Sequence, residues 1–220
     1  MFRIITIERE FGSGGGGIAA KLATRLGWKL WDHSLTEEVA KIAKVDCAVA
    51  ERCDETVDST LRRLAKVFWR GSHERSAAIP DSGTFDADCM VAMMQQLMTR
   101  IAKEGNAVIV GRGSPYFLRE HDDALRVFTF APRDEKIRRL VSQGRDPAEA
   151  EELVETVDRE RIAYVKHYFG ADWPKRTLYH MMINTSIGDD RVIAAILKTM
   201  QLLGHNFEAA GSSLRGIALK

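Results

Sequence analysis

The sequence predicts an α/β fold in which helices cover both faces of a parallel sheet. Short apolar runs of strand length alternate along the chain with longer segments whose apolar residues recur at helical spacing. A glycine-rich cluster follows the first of these strands and opens the first helix. Such alternation is typical of parallel βαβ units, because each parallel strand pair needs a long crossover connection. The chain of 220 residues is long enough to bury the core of one such domain.

The predicted elements follow one another from the amino terminus. Runs rich in β-branched and other apolar residues mark the strands. Apolar residues three or four positions apart mark the helices, and glycines or polar turns end them. We expect strands at Phe2–Ile7, Trp28–Trp31, Ala107–Val110, Arg126–Phe130 and Met181–Ile183, and helices at about 18–26, 134–142, 147–169 and 189–203.

A long helical insert at 46–104 interrupts the alternation of strands and helices. Within it, an apolar stripe from Met90 to Ile101 has helical spacing and ends before Gly105, which is typical of a helix packed on a core. The periodicity weakens near the carboxyl terminus, so we expect residues 205–220 to form a peripheral tail. The chain 1–220 is thus interpreted as a single domain with one insert.

Composition excludes several classes of function. The 32 basic residues are balanced by 31 acidic ones, and a net charge of +1 argues against a nucleic-acid-binding surface. No apolar run approaches the roughly 20 residues needed to cross a membrane, and the first ten residues do not resemble a secretory signal. The three cysteines match no zinc-binding spacing. We therefore expect a cytoplasmic protein that binds small molecules, and the sequence leaves its oligomeric state open.

The glycine cluster GSGGGG at 12–17 predicts a phosphate-binding loop, because it lies between a strand and a helix. Glycines allow the backbone to approach a phosphate closely, and the amides and positive end of the following helix stabilise the anion. Two different folds use this arrangement.

The first interpretation is a dinucleotide site. Gly12, Gly14 and Gly17 satisfy the pattern G-x-G-x-x-G, and Asp32 follows at about the distance expected for an acid that binds ribose. In that fold, however, the first glycine follows its strand almost at once. Here the four residues 8–11 separate the last clear strand residue from Gly12, and this longer approach favours a P-loop.

The second interpretation is a P-loop that departs from the pattern G-x-x-x-x-G-K-[ST]. Gly15 stands where the lysine belongs, and glycines at 16 and 17 replace the hydroxyl residue. Arg9 stands where the first glycine of the pattern is expected. The lysine normally neutralises phosphate charge, and the hydroxyl binds Mg²⁺. The expected phosphate-binding residues are Arg9, Gly12, Ser13, Gly14, Gly15, Gly16 and Gly17.

Arg112 is a candidate phosphate ligand by its position alone. It lies between two glycines after the apolar run AVIV, and open α/β sheets bind ligands at the carboxyl ends of their strands. A guanidinium there can bind a phosphate through two hydrogen bonds. The alternative is an arginine that pairs with a nearby acid. Asp32 is likewise either a ligand of Mg²⁺ or of an acceptor, or a plain acid at the start of a helix.

Six segments in order identify a family resemblance: ITIEREFGSGGGGIAAKLATRLG, WDHSL, VIVGRGSPYFL, RVFTFAPRDEKIRRL, DRERIAYVKHYFG and MINTS. Together they resemble the cytidylate kinase-like family of P-loop nucleoside monophosphate kinases, over roughly residues 3–200. The resemblance implies a three-layer P-loop NTPase fold with a nucleotide-monophosphate-binding arm at 46–104 and a short lid at about 139–160. It also implies transfer of the γ-phosphoryl group of ATP, with Mg²⁺, to a nucleotide such as CMP or dCMP.

The resemblance also implies roles for individual residues. Asp32 and Arg112 match an acid and an arginine near the acceptor nucleotide, and Tyr164 matches the helix that leads from the lid. Basic residues of the lid region are candidates for contacting the transferring phosphate, although Asp158 and Arg161 have the spacing of a plain intrahelical ion pair. The expected catalytic residues are Arg112, Arg139, Arg145 and Arg161, the acceptor-binding residues are Asp32, Arg112 and Tyr164, and the metal ligand is Asp32.

The missing groups leave a second class of function open. The loop has no lysine and no hydroxyl at the usual positions, and no acid follows the run VIVGRG where a second metal carboxylate is expected. A nucleotide-binding protein with little turnover is therefore the alternative hypothesis, and a dinucleotide-dependent enzyme is the third.

Overall fold

A computed structural model describes residues 1–32, 34, 35, 38 and 87–215, with the side chains of 87–90 and 205–215 left out. In this part of the chain, five strands form a parallel sheet with helices on both faces. The strands are β1 (Ile4–Arg9), β2 (Lys29–Trp31), β3 (Ala107–Val110), β4 (Ala124–Phe130) and β5 (Met181–Asn184). The helices are α1 (Gly15–Leu26), α2 (Ala87–Glu104), α3 (Ser114–Phe117), α4 (Arg133–Ser142), α5 (Pro147–Phe169) and α6 (Asp189–Arg215).

The strand order is β2-β3-β1-β4-β5, and every pairing is parallel. β1 lies at the centre, with Ile4 opposite Ala107 of β3 on one side and Ala124 of β4 on the other. In the dinucleotide-binding fold, the second strand lies beside the first. Here β3 separates β2 from β1, so the dinucleotide interpretation of the glycine loop is wrong.

Two apolar cores make the fold a three-layer α/β sandwich. Side chains alternate along β1, so that Ile4 faces one core while Ile5 and Ile7 face the other. Helices α1 and α6 cover the face of Ile5 and Ile7, and helices α2, α3 and α5 cover the face of Ile4. The apolar stripe predicted from Met90 to Ile101 contributes Met94, Leu97 and Ile101 to the latter core.

The first strand is longer than its apolar run predicts. β1 continues through Glu8 and Arg9, which pair with Phe128 and Thr129 of β4. Only two residues, 10 and 11, then separate the strand from Gly12. The four-residue approach expected from the sequence was therefore wrong, because backbone pairing to β4 holds two charged residues in strand conformation. The strand order, and not the length of the approach, distinguishes the two folds.

Other differences lie at element ends. α6 continues to Arg215 and not to about 203, because the sequence beyond 203 holds no proline and an established helix extends at one hydrogen bond per residue. The short helix α3 was not expected. Residues 46–86 of the helical insert, with Cys47 and Cys53, lie outside the described residues. Within the described chain, none of the helices is long and apolar enough to cross a membrane.

Candidate phosphate-binding site

The loop from β1 to α1 has the backbone of an anion-binding turn. Gly12 and Gly14 have φ angles of +75° and +80°, in the left-handed region that favours glycine. Gly14 caps α1 without a side-chain hydrogen bond, and its carbonyl accepts from the amide of Ile18. The amides of the first turn therefore have no partner within the helix, and they lie at its positive end. This is the local arrangement that stabilises a phosphate.

Lys136 of α4 packs directly against this loop. A Cβ added to Gly12 would lie 2.9 Å from the Cβ of Lys136, so only glycine allows this approach. The Lys136 ammonium is 3.0 Å from Glu10 Oε2 and 3.6 Å from Asp158 Oδ2, and the lysine is almost completely buried. Sequence reasoning missed Lys136, because the strongly polar sequence of α4 does not distinguish one cation from the next.

Asp158 of α5 fixes the start of the loop. Its Oδ1 accepts hydrogen bonds from the amide of Phe11 at 2.9 Å and from Arg161 at 2.9 Å. The ion pair expected as the plain alternative for Arg161 is therefore present. The same guanidinium also donates to the carbonyl of Arg9 at 2.8 Å, so Arg161 holds the end of β1 as well as its neighbour on the helix.

Arg139 connects the loop to the end of β5. Its guanidinium donates to the carbonyl of Ser13, to Thr185 Oγ1 at 2.8 Å and to the carbonyl of Thr185 at 3.0 Å. The Thr185 hydroxyl in turn donates to the carbonyl of Ser13 at 2.7 Å. A Cβ on Gly14 would lie 3.2 Å from Nη1 of Arg139. Arg139 therefore holds the backbone of the loop, and its expected contact with the transferring phosphate stays a prediction.

Arg9 leaves the end of β1 and lies beneath the amino end of α1. Its Cβ and Cδ lie 3.0 and 3.1 Å from where a side chain of Gly15 would begin, and its guanidinium lies against Gly111, after β3. Burial, and to a smaller extent the charge of Arg161, lower the pKa of Arg9 to about 10, while Asp32 opposes this shift. The guanidinium still carries its charge at neutral pH.

Arg112 follows β3 in a strained backbone conformation. Its φ angle is +61°, between Gly111 at +62° and Gly113 at +69°, which costs a residue with a side chain about 1–2 kcal/mol. The side chain is 7% exposed. Burial lowers the pKa of Arg112 to about 10, and Asp32 is the strongest charge that opposes this shift. Asp32 therefore lies close enough to Arg112 to stabilise its charge, and the contacts of both residues with an acceptor stay predictions.

A buried carboxyl and four tyrosines lie below Arg112 on the α5 face of the sheet. Burial raises the pKa of Glu8, and the charges of Arg161 and Arg9 oppose this shift. Tyr164 is 5% exposed, and burial raises the pKa of its hydroxyl. The expected role of Tyr164 in acceptor binding stays a prediction. Sequence reasoning missed Glu8, because a charged residue after an apolar run resembles the start of a loop. In addition to burial, the charge of Glu8 raises the pKa values of Tyr116, Tyr164 and Tyr179. Tyr168 packs on Tyr164, with 4.9 Å between the centroids of their rings.

Three expected residues lie at the edge of this arrangement. Arg145 is in the turn between α4 and α5, where Nη1 pairs with Glu149 Oε1 at 2.6 Å, and its contact with phosphate stays a prediction. Gly16 is half-buried in the first turn of α1. Gly17 is exposed, and a Cβ added there would meet no atom within 4 Å.

The acidic residues of the site suit a Mg²⁺ ion that enters together with the phosphates of a nucleotide. They suit an ion held by protein side chains alone less well. Among the described residues, no group of three or more histidines, cysteines or acids could hold a metal. Mg²⁺ usually keeps several waters and is bound by one or two carboxylates together with substrate phosphates. Asp32 follows β2 at its carboxyl end, and its role as a metal ligand stays a prediction.

A phosphate-binding turn after the central strand, in a sheet whose first and third strands are neighbours, defines the class of P-loop kinase-like proteins. The sequence model of the cytidylate kinase-like family matches residues 4–187, and the chain belongs to that family. The resemblance found in the sequence and the predicted fold are both confirmed. No curated protein sequence matches the chain significantly.

Solved structures share this fold at low sequence identity. An uncharacterized protein from Eubacterium ventriosum is 20% identical and superimposes with a TM-score of 0.62, over 91% of this chain and 99% of its own. The shikimate kinase of Bacteroides thetaiotaomicron is 17% identical, with a TM-score of 0.43 over 93% of this chain and 98% of its own. The protein TT1252 from Thermus thermophilus is 19% identical, with a TM-score of 0.47 over 90% and 97%. The Eubacterium ventriosum structure supports the fold of this chain. The other two structures have TM-scores below 0.5 and add no support.

Proposed function

We propose that the protein transfers the γ-phosphoryl group of ATP to a pyrimidine nucleoside monophosphate such as CMP or dCMP. Membership of a kinase-like family supports phosphoryl transfer and nucleotide binding in general. ATP as donor, Mg²⁺ as its companion and a cytidine nucleotide as acceptor are the finer parts of the proposal. These parts come from the resemblance of six sequence segments to the cytidylate kinase-like family. Two of those segments contain Arg112 and Asp32.

The observation that carries the proposal is the presence of two cationic positions at one edge of the sheet. The glycine loop, with the amino end of α1, suits the phosphate chain of a donor nucleotide. Arg112, after β3, suits the single phosphate of an acceptor, because a guanidinium can bind it through two hydrogen bonds. Arg9 extends from the end of β1 toward Gly111, which precedes Arg112. The donor and acceptor phosphates would therefore meet above the ends of β1 and β3.

Phosphoryl transfer needs little covalent chemistry from the protein, since positioning and neutralisation of charge supply most of the catalysis. Mg²⁺ bound with ATP supplies charge neutralisation on the phosphate oxygens, and Asp32 is the carboxylate that would hold it. Arg112 would bind and orient the acceptor phosphate. Tyr164 is buried beside Arg112 and would position its guanidinium.

The second candidate is a nucleotide-binding protein with little or no turnover. The lysine-free loop favours it. So do the contacts of the lid cations, because Arg139 is bound by Ser13 and Thr185, and Arg161 by Asp158 and the carbonyl of Arg9. Such a protein would bind ATP or CMP without forming a diphosphate.

The test is incubation of the pure protein with ATP, Mg²⁺ and a panel of nucleoside monophosphates. We expect a diphosphate product from CMP or dCMP. Replacement of Arg112 by Ala should lower kcat/KM for the acceptor about ten- to a hundredfold, the value of one charge-assisted pair of hydrogen bonds, while ATP affinity stays unchanged. Arg119→Ala is the control, because that arginine is exposed and pairs with its likewise exposed neighbour Glu120.

The outcomes separate the two candidates. ATP binding by calorimetry without a diphosphate from any acceptor would favour the binding protein. Loss of turnover in Arg112→Ala would exclude it. Failure to bind any nucleotide would refute both.

A further inference from the structure

Besides lacking the hydroxyl residue at position 16, the loop departs from the P-loop pattern at two positions where a cation and a glycine have changed places. Counted back from Gly14, the pattern G-x-x-x-x-G-K-[ST] places its first glycine at position 9 and its lysine at position 15. This chain has a cation, Arg9, at the first position and a glycine, Gly15, at the second. The two residue types are exchanged.

The backbone of Gly15 does not require a glycine. Gly15 is the first residue of α1, and its φ angle lies outside the left-handed region, unlike those of Gly12 and Gly14. A side chain is excluded by space alone. A Cβ on Gly15 would overlap the hydroxyl of Thr129 and would lie 3.0 Å from Cβ and 3.1 Å from Cδ of Arg9. The stem of Arg9 thus fills the space in which a lysine at position 15 would begin.

The side chain of Arg9 passes beneath the amino end of α1, the helix that follows the glycine loop. The residue is 7% exposed and extends from β1, beneath Gly15, to Gly111. Its surroundings keep it cationic, because Asp32, Glu8 and Asp158 favour the charged form against burial and Arg161. A positive charge is therefore built into the base of the loop from the preceding strand.

Two other cations contact the loop at different places. Lys136 packs on Gly12 and is held by Glu10 and Asp158. Arg139 lies over Gly14 and is bound by the carbonyl of Ser13. The contact at Gly15 is made by Arg9 and by Thr129.

We propose that Arg9 binds the β- and γ-phosphates of a nucleoside triphosphate in place of the absent loop lysine, and that Arg9 and Gly15 are a reciprocal exchange. The inference rests on the proposed function, since it names a ligand of the same site. An arginine differs from a lysine here, because its planar fork can bind two phosphate oxygens at once. This role explains why a helix-starting position with ordinary backbone geometry carries glycine.

The test exchanges the two residues. Thr129→Ala removes the hydroxyl that would overlap a side chain at position 15, and it serves as the parent protein. Arg9→Gly in this parent should weaken ATP binding about ten- to a hundredfold, measured by calorimetry. Adding Gly15→Lys to Arg9→Gly should restore most of the affinity, and Gly15→Lys with Arg9 present should not raise it.

Gly17→Lys is the matched control for charge alone. Position 17 is open, so a lysine there adds the same charge on the outside of α1. In the Arg9→Gly parent it should leave the affinity low. Arg9→Gln is the second variant, because it keeps most of the volume of the side chain without the charge, and it should lose affinity like Arg9→Gly. Thermal melting of each variant reports whether it is folded.

Each outcome has a distinct meaning. If the unaltered protein binds ATP and both Arg9 variants bind it equally well, the inference is wrong and the proposed function stands. Equal recovery by Gly15→Lys and Gly17→Lys, or recovery by neither, would also overturn the exchange. If the unaltered protein binds no nucleotide, the proposed function fails and the inference fails with it.

Discussion

The same substitution at two glycines of the loop should change stability in opposite directions. Gly12→Ala places a side chain at a φ angle of +75°, which costs about 1–2 kcal/mol. The new Cβ also lies 2.9 Å from Cβ of Lys136 and 3.2 Å from its carbonyl oxygen, and such overpacking costs about 1–3 kcal/mol more. We therefore expect Gly12→Ala to lower the free energy of unfolding by about 2–5 kcal/mol.

Gly17→Ala should raise the free energy of unfolding by about 0.5–1 kcal/mol. Its position is helical and exposed, and the added methyl group meets no atom within 4 Å, so only the lower helix propensity of glycine is removed. Urea unfolding followed by far-ultraviolet circular dichroism measures both variants, with equal m-values as the condition for comparison. A Gly12→Ala protein as stable as the unaltered one would refute the close packing of α4 on the loop. A destabilised Gly17→Ala protein would refute the open space at position 17.

Two further predictions concern buried charges. Burial raises the pKa of Glu8 above its ordinary value of 4.5, so the unfolded chain loses this proton first as the pH rises. The unaltered protein should therefore lose stability relative to Glu8→Gln as the pH rises through 4.5, and the difference should stop growing once the pH passes the folded pKa. Urea unfolding at several pH values measures the difference, and a difference that does not change with pH would contradict the shift. Lys136→Met should lower the free energy of unfolding by about 2–3 kcal/mol, because Glu10 and Asp158 lose their shared cation. Adding Glu10→Gln to this variant should restore part of that stability. Independent, additive effects of these two substitutions would argue against the pair.

Elements with a strong local signal were predicted well from the sequence. The run AVIV was expected as a strand at Ala107–Val110, and the structure has β3 with these bounds, because glycines at 105 and 111 stop an apolar run on both sides. The helix after the loop ends at Leu26, as expected, since Gly27 adopts a φ angle of +65° there. In both cases, residues within a few positions decide the structure.

Residues whose environment is set by distant parts of the chain were not predicted. Glu8 and Arg9 are charged, so the sequence suggested a loop, but pairing with Phe128 and Thr129 makes them the end of a strand. Lys136 resembles any exposed lysine of a polar helix, and its burial depends on Glu10 and Asp158, far away in sequence. Long-range packing supplies this information, and a local pattern does not contain it.

The acids of the site compensate for the burial of its arginines. A buried guanidinium loses its hydration, and this loss is tolerated only where an opposite charge or hydrogen-bond acceptors replace the water. Asp32 favours the charged forms of Arg9 and Arg112, whose pKa values burial lowers, and Asp158 pairs with Arg161. These acids hold the arginines in place before a ligand arrives.

A phosphate that enters the site must therefore compete with carboxylates for cations that are already bound. Its affinity reflects the difference between two sets of charge-assisted contacts, and not the full strength of either. The cations in turn pay less entropy on binding, because their side chains are already ordered. A net charge of +1 is compatible with several cations at this site, because acids lie among its buried arginines and Asp32 acts on both Arg9 and Arg112. Removing an acid near Arg9 should therefore free a cation for phosphate at the expense of the stability of the fold.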